Sequence, residues 1–285
     1  MSTVYLNGEY MPMSEAKISP MDRGFLFGDG IYEVVPSYNG RLVGFAPHFD
    51  RMNDGMKSIG IELDMSHDEW REISEKLSEA NGAGNLGIYY HVSRGTDTKR
   101  THNYPAGVKP TVFAFAFEIP AEPVADKTKA KSYSVSTSDD LRWKRCNIKS
   151  TALLGNVLHY QQGIDDGNQE CILFNAEGFM TEGSSTNAYI VKDGVVITPA
   201  LSTQLLPGIT RLMLLDILRK DGSIQVEERP VSRAEFDAAD EVWLSSSSKE
   251  VAAVVSVDGK PVGNGQIGDV WEKAQALFSA GKYNY

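Results

Sequence analysis

Four segments hold residues whose types and spacing could do chemistry. They are Arg142-Trp143-Lys144-Arg145-Cys146-Asn147-Ile148-Lys149-Ser150, Thr181-Glu182-Gly183-Ser184-Ser185-Thr186-Asn187, Leu206-Pro207-Gly208-Ile209-Thr210-Arg211 and Ser245-Ser246-Ser247-Ser248. Lys149 stands between Ile148 and the apolar Ala152-Leu153-Leu154. A lysine in such company can lose its hydration and become a nucleophile; the alternative is a surface lysine just before a helix. Glu182 sits in a tight Glu-Gly-Ser-Ser-Thr-Asn turn, where a carboxylate could pair with a cationic ring nitrogen or cap the next turn. Gly208-Ile209-Thr210 opens a helix, whose free N–H groups and positive dipole end suit a phosphate. A threonine cap with no ligand is the other reading there. The hydroxyls of Ser245–Ser248, directly after a strand, could donate to the same phosphate or form a polar loop. Together they supply an imine-forming lysine, a carboxylate for a pyridinium nitrogen and a phosphate cup, which is what pyridoxal 5'-phosphate needs.

The elements that must position these residues read as two halves. Asn7-Gly8 and Asn39-Gly40 each stand between strand-like runs and predict type I′ hairpins. Pro47–Ile59 reads as a helix stopped by Gly60. Ser66-His67-Asp68-Glu69 fits a capping box, with a helix running to about Ala80. Leu86–Arg94 and Thr111–Phe117 read as strands, the second apolar enough to be central. Ile119–Ala130 holds Pro120 and Pro123 among alanines and scattered charge, and reads as a linker. The expected domains are therefore 1–118, a linker over 119–130, and 131–285. In the second half, strands are expected near Lys131–Thr137, Glu170–Phe174, Ala188–Val191 and Val195–Thr198. Asp193-Gly194 closes the last two as a hairpin. Strands recur at Glu241–Leu244 and Val251–Val257, with a turn at Asp258-Gly259. Helices are expected from Ser150 to about Gln162, from Ile209 to Asp221 with a buried face of Leu212, Leu215, Ile217 and Leu218, and over Asp269–Ala280. The fold class is mixed α/β (α+β) with largely antiparallel pairing.

Composition bounds the remaining classes. The chain has 285 residues, enough for about two domains. Hydrophobic residues at 41% supply a core that a disordered chain lacks. A net charge of −10 argues against general nucleic-acid binding, although a local basic pocket for an anionic ligand remains compatible with it. No apolar run approaches the ~18–20 residues of a membrane helix, and the N-terminus has no signal-peptide pattern. Cys146 and Cys171 form no C-x-x-C pair, so a reducing, cytoplasmic setting is expected. The five histidines lack H-x-x-x-H or H-E-x-x-H spacing, so no metal site is expected. Gly263-Asn264-Gly265-Gln266-Ile267-Gly268 matches G-x-G-x-x-G. Yet only 17 residues of the 285 follow Gly268, too few for a helix, a second strand and the distant acidic residue. A glycine-rich turn before a helix is the better reading.

The four segments, in this order, resemble the fold type IV (class IV) pyridoxal-phosphate aminotransferases. Phe27-Gly28-Asp29-Gly30-Ile31-Tyr32-Glu33-Val34 and His48-Phe49-Asp50-Arg51 match the same family's N-terminal half, so the resemblance covers nearly the whole chain. It implies a two-domain architecture with the active site between the domains, the first carrying a substrate-carboxylate loop and the second binding pyridoxal 5'-phosphate. It implies Lys149 as the Schiff-base lysine and Glu182 as partner of the ring nitrogen. Arg51, the Gly208-Ile209-Thr210 amides and a hydroxyl from Ser246 or Ser247 would hold the phosphate, and Leu206 would pack on the ring. The loop Ser93–His102 resembles that of the branch acting on D-amino acids. There Arg100, His102 and Tyr32 would trap the α-carboxylate of amino acids and 2-oxo acids, as an arginine fork and a phenol can. In the family this loop reaches the neighbouring subunit's active site, which implies a homodimer. Pro36, Asn147 and Lys249 depart from the family pattern. A branched-chain L-amino acid aminotransferase would not need Arg100 and His102. A 4-amino-4-deoxychorismate lyase and a non-catalytic module on the same fold are the further alternatives.

Overall fold

The computed structural model describes residues 2–285. Contacts divide the described residues into one unit of residues 2–121, Ile148–Leu153 and Tyr285, and another of Glu122–Asn147 and Leu154–Asn284. This differs from a simple split near residues 119–130, because Ile148–Leu153 crosses back to the first unit. The cause is local. Tyr32 N donates to Lys149 O at 3.1 Å, Thr151 N donates to Gly30 O at 3.0 Å, and Ser150 bridges Ile31. These backbone groups are spent on a neighbouring strand, so the helix expected from Ser150 begins only at Leu154.

The first unit contains β1 (Thr3–Leu6), β2 (Glu9–Pro12), α1 (Arg23–Phe27), β3 (Gly30–Tyr38), β4 (Arg41–Leu42), α2 (Phe45–Ser58), α3 (His67–Ala80), β5 (Asn85–Ser93) and β6 (Thr111–Glu118). Its six strands form one antiparallel sheet in the order β2-β1-β6-β5-β3-β4. Asn7 and Asn39 carry positive φ, as type I′ turns require. The Ser66–Glu69 capping box forms in both directions and starts α3. The helices α2 and α3 bring Phe49, Met52, Trp70 and Leu77 into a core with Ile31, Val35, Ile88, Tyr90 and Val92 of the sheet. Phe49 stacks on Trp70 at 5.0 Å and meets Tyr90 edge-on. Alternation along β3 then turns Ile31, Glu33 and Val35 toward α2 and leaves Tyr32 on the opposite face.

The second unit contains β7 (Ser132–Asp139), α4 (Leu154–Asp165), β8 (Cys171–Phe174), β9 (Met180–Gly183), β10 (Asn187–Lys192), β11 (Val195–Thr198), α5 (Ile209–Asp221), β12 (Val226–Glu228), α6 (Arg233–Asp237), β13 (Glu241–Ser246), β14 (Glu250–Val257), β15 (Lys260–Pro261) and α7 (Asp269–Gly281). The sheet order is β12-β11-β10-β13-β14-β7-β8-β9, with β15 beside β14. Three of its pairings are parallel: β11 with β12, β14 with β7, and β7 with β8. Ile172, Ile190, Val242 and Val254 belong to one core cluster, while α5 and α7 pack against β13 and β14. Leu212, expected on the buried face of α5, is 48% exposed, whereas Met213 and Leu214 are buried. Gly263–Gly268 is a turn before α7.

Candidate active site

In the first unit, Lys149 is half-buried and its Nζ lies 4.1 Å from the centre of the Tyr32 ring. Tyr32 in turn stacks on Tyr89 at 5.7 Å. Among the described residues Lys149 makes no salt bridge. Its charge is met by an aromatic face, which attracts a cation without fixing it as a carboxylate would.

Arg51 lies on α2, one turn beyond His48. Its Nε and Nη2 donate to the two Glu33 oxygens at 2.7 Å each, and His48 Nδ1 lies 2.7 Å from Glu33 Oε2. An ionised carboxylate only accepts, so Nδ1 carries the hydrogen. Burial alone would raise the Glu33 carboxyl; Arg51 and His48 overcome it and hold the group down to about 2. Burial also lowers His48, against the pull of Glu33. Glu33 thus fixes one edge of the Arg51 guanidinium. Because the Glu33 pKa is depressed, its contribution to stability is present above the ordinary carboxyl value of 4.5 and is lost as pH falls toward about 2. Glu33→Gln leaves the largely buried Arg51 guanidinium uncompensated and is expected to cost about 3–5 kcal/mol in urea unfolding at neutral pH. An unchanged unfolding midpoint would show that Arg51 is held by other means.

Arg100 and His102 lie on the exposed loop between β5 and β6. The Arg100 guanidinium stands 5.1 Å from the Phe27 ring centre, and the His102 ring 5.5 Å from it. The contacts group these two residues around Phe27, whereas Tyr32 is grouped with Lys149 and Tyr89.

In the second unit, Glu182 is at the end of β9 rather than in a turn, and it is buried. Its Oε1 accepts from Arg142 Nη1 at 2.6 Å, and its Oε2 from Leu206 N at 3.0 Å and Asn187 Nδ2 at 3.1 Å. Burial pushes the Glu182 carboxyl up to about 7 even though Arg142 and the Leu206 amide pull it down. Arg142 is itself gripped by Asp140, through Nε at 3.0 Å and Nη2 at 2.8 Å. Asn187 also donates to Leu206 O at 2.9 Å. A Cβ on Gly208 would come within 2.0 Å of Asn187 Oδ1, so that position requires glycine. Gly208 caps α5 with no side-chain bond, and Ile209 and Thr210 follow as its first residues. Their N–H groups belong to the set a helix leaves without an internal partner. Ser246 ends β13, and its Oγ accepts from Lys249 N at 3.3 Å; Ser247 is half-buried beside it.

Sequence reading missed one organising carboxylate. Glu170, fully buried, accepts from the backbone N–H of Ser184 and Ser185 and from the hydroxyls of Ser184, Ser185 and Thr186. It shapes the loop after Glu182. Nothing local in the sequence marks that role, because its partners lie 14 to 16 residues away. Of the departures, Pro36 sits inside β3 opposite Gly87, and Asn147 is exposed. Lys249 is half-buried, and burial lowers its amine despite Glu170 nearby.

The first unit offers a lysine amine, and the second a buried carboxylate held by donors and a helix N-terminus without a side-chain cap; each is a donor type that pyridoxal 5'-phosphate needs. The comparisons agree. Residues 30–257 match the family Amino-transferase class IV. The chain is 37% identical over 281 residues to a D-alanine aminotransferase of Staphylococcus aureus (strain COL), covering 98% of this chain and 97% of that one. It is 38% identical over 275 residues to the D-alanine aminotransferase of Bacillus licheniformis, covering 96% and 95%. A branched-chain amino acid aminotransferase of Escherichia coli has the same fold, with a TM-score of 0.89 and 27% identity over 98% of this chain and 94% of that one. The chain therefore belongs to the class IV aminotransferases, enzymes that depend on pyridoxal 5'-phosphate.

Proposed function

We propose that the chain is a D-amino acid transaminase, moving an amino group between D-amino acids of the alanine and glutamate type and 2-oxo acids in a ping-pong cycle. The observation that carries the reading is likeness to D-alanine aminotransferases along nearly the whole chain. Bound pyridoxal phosphate supplies an imine carbon and a ring that accepts the electrons left by proton loss. With the cofactor held there, Lys149 Nζ would serve as the base that takes the proton from the substrate Cα and as the acid that gives it back. Glu182 holds the proton on the ring nitrogen. Arg51, the amides of Gly208, Ile209 and Thr210, and the hydroxyls of Ser246 and Ser247 hold the phosphate. Leu206 packs on the ring. Tyr32, Arg100 and His102 hold the α-carboxylate.

We propose a homodimer in the cytoplasm. Support comes from α4, which leaves Leu154, Val157, Leu158 and Ile164 exposed, an apolar face suited to a second copy. No helix among the described residues is long and apolar enough to cross a membrane.

The likeness to the branched-chain enzyme favours a second reading, transfer from L-amino acids. Mixing holoenzyme with D-alanine or L-leucine, without an oxo acid, separates the two. Bleaching of the visible cofactor band by D-alanine alone supports the proposal. Bleaching by L-leucine alone overturns it in favour of the branched-chain reading. No bleaching by either, with the band present, overturns D-alanine as the donor and points to the lyase or to another amine donor.

A further inference from the structure

The connection between β5 and β6 is long, exposed and without regular structure, yet it is tied down by two buried arginines. Arg23 and Arg94 are 3% and 6% exposed. Arg23 Nε donates to Asp29 Oδ2 at 2.8 Å, while its Nη1 donates to Thr101 O at 2.7 Å and its Nη2 to His102 O at 3.4 Å. Arg94 grips the same carboxylate through Nε at 2.8 Å and Nη2 at 3.0 Å, and donates to the carbonyls of Ile59 and Gly60. Its guanidinium lies 3.6 Å from the centre of the Tyr104 ring. Burial would raise the Asp29 carboxyl, but the two arginines hold it below the usual range. The neck of the loop is equally constrained. Arg23 N donates to Gly95 O at 2.9 Å. Gly95 has φ +100°, and a Cβ there would fall 1.9 Å from Lys109 O.

A surface loop held through its own carbonyls by a buried cation is an arrangement for setting position, because each bond fixes backbone rather than one mobile side chain. Residues 101 and 102 are the ones held, and Arg100 directly precedes them. Arg23 also faces Phe27 at 4.8 Å, the ring that Arg100 and His102 approach from elsewhere.

We infer that Asp29, Arg23 and Arg94 form a clamp that positions Arg100 and His102 for the carboxylate of amino-acid and oxo-acid substrates. These three are positioning residues and touch no reacting atom. The inference rests on the proposal that Arg100 and His102 bind the substrate carboxylate.

The test is steady-state kinetics on holoenzyme carrying Arg23→Met, with Arg23→Lys as the conservative variant. Arg23→Met leaves Asp29 paired with Arg94. It is expected to raise KM for both D-alanine and 2-oxoglutarate by about tenfold or more with kcat within about threefold. The visible cofactor band is expected to stay intact. Arg23→Lys keeps the charge but cannot span both carbonyls, so its KM is expected to lie between parent and Arg23→Met. Trypsin cleavage at Lys99 and Arg100 is expected to quicken in Arg23→Met, reporting release of the loop. A fall in kcat and cofactor binding with unchanged KM would overturn the clamp and leave a merely structural ion pair. Arg100→Ala serves as the reference. If it leaves KM unchanged, the carboxylate assignment itself fails. If it raises KM while Arg23→Met and Arg23→Lys do not, the clamp alone fails.

Discussion

Lys149→Ala is expected to lower kcat/KM for D-alanine by at least ~10⁴-fold, because in the proposed reaction one side chain both bonds the cofactor and moves the substrate proton. The backbone at this position is fastened independently of the side chain. Lys149 O accepts from Tyr32 N, and Ser150 bridges Ile31. The amine itself lies over an aromatic face, 4.1 Å from the Tyr32 centroid, and makes no salt bridge among the described residues. Truncation therefore removes the chemistry with little cost to the fold, and urea unfolding of Lys149→Ala is expected within about 0.5 kcal/mol of the parent. Lys149→Arg keeps the charge beside Tyr32, but a guanidinium holds its proton at any working pH and cannot serve as base. It should be as inactive as the alanine variant. A small primary amine added to Lys149→Ala can replace the missing base and restore part of the proton transfer. Activity within ~100-fold of the parent in both variants would remove Lys149 from the reaction.

What sequence could and could not reveal follows from the range of each interaction. The hairpins at Asn7-Gly8 and Asn39-Gly40 and the Ser66–Glu69 cap are set by neighbours within three residues, and each forms as expected. The strands around Ile88 and Val112 follow equally from local apolar character. The helix expected from Ser150 starts later, at Leu154, because Ser150 and Thr151 bond to β3, about 120 residues earlier, and no window around Ser150 contains that information. Glu182 was recognisable as a candidate, while its end-of-strand setting comes from pairing of β9 with β8. Asp29 lies in the Phe27–Val34 segment, yet its role depends on Arg94, 65 residues away. Arg51 shows the same limit. Its residue type suits a phosphate, but only the fold shows two of its nitrogens committed to Glu33.

Glu182→Gln is the second substitution with a large expected effect, and here pH separates its causes. The carboxyl is buried against Arg142, the Leu206 amide and Asn187, and burial pushes it up to about 7. Without cofactor, the folded chain therefore keeps a proton that the unfolded chain releases near 4.5. The group's contribution to stability is then largest at low pH and falls as pH rises from 4.5 to about 7. A protonated ring nitrogen reverses this, since a positive charge against Glu182 favours the anion. Cofactor binding should draw the proton off, so affinity should rise with pH by up to about tenfold per unit below 7 and level off above it. Glutamine is neutral throughout. It cannot hold the ring nitrogen's proton, so kcat should fall by ~10²–10⁴-fold. The Glu182-dependent part of the pH slope should also disappear. Titrating pyridoxal phosphate into parent and Glu182→Gln across that pH range isolates the effect, because the ligand's own ionisations cancel in the ratio. Parallel curves for the two proteins would mean that Glu182 never meets the ring charge. Its hydrogen bonds to Arg142, Leu206 and Asn187 would then serve only to join β9 to the start of α5.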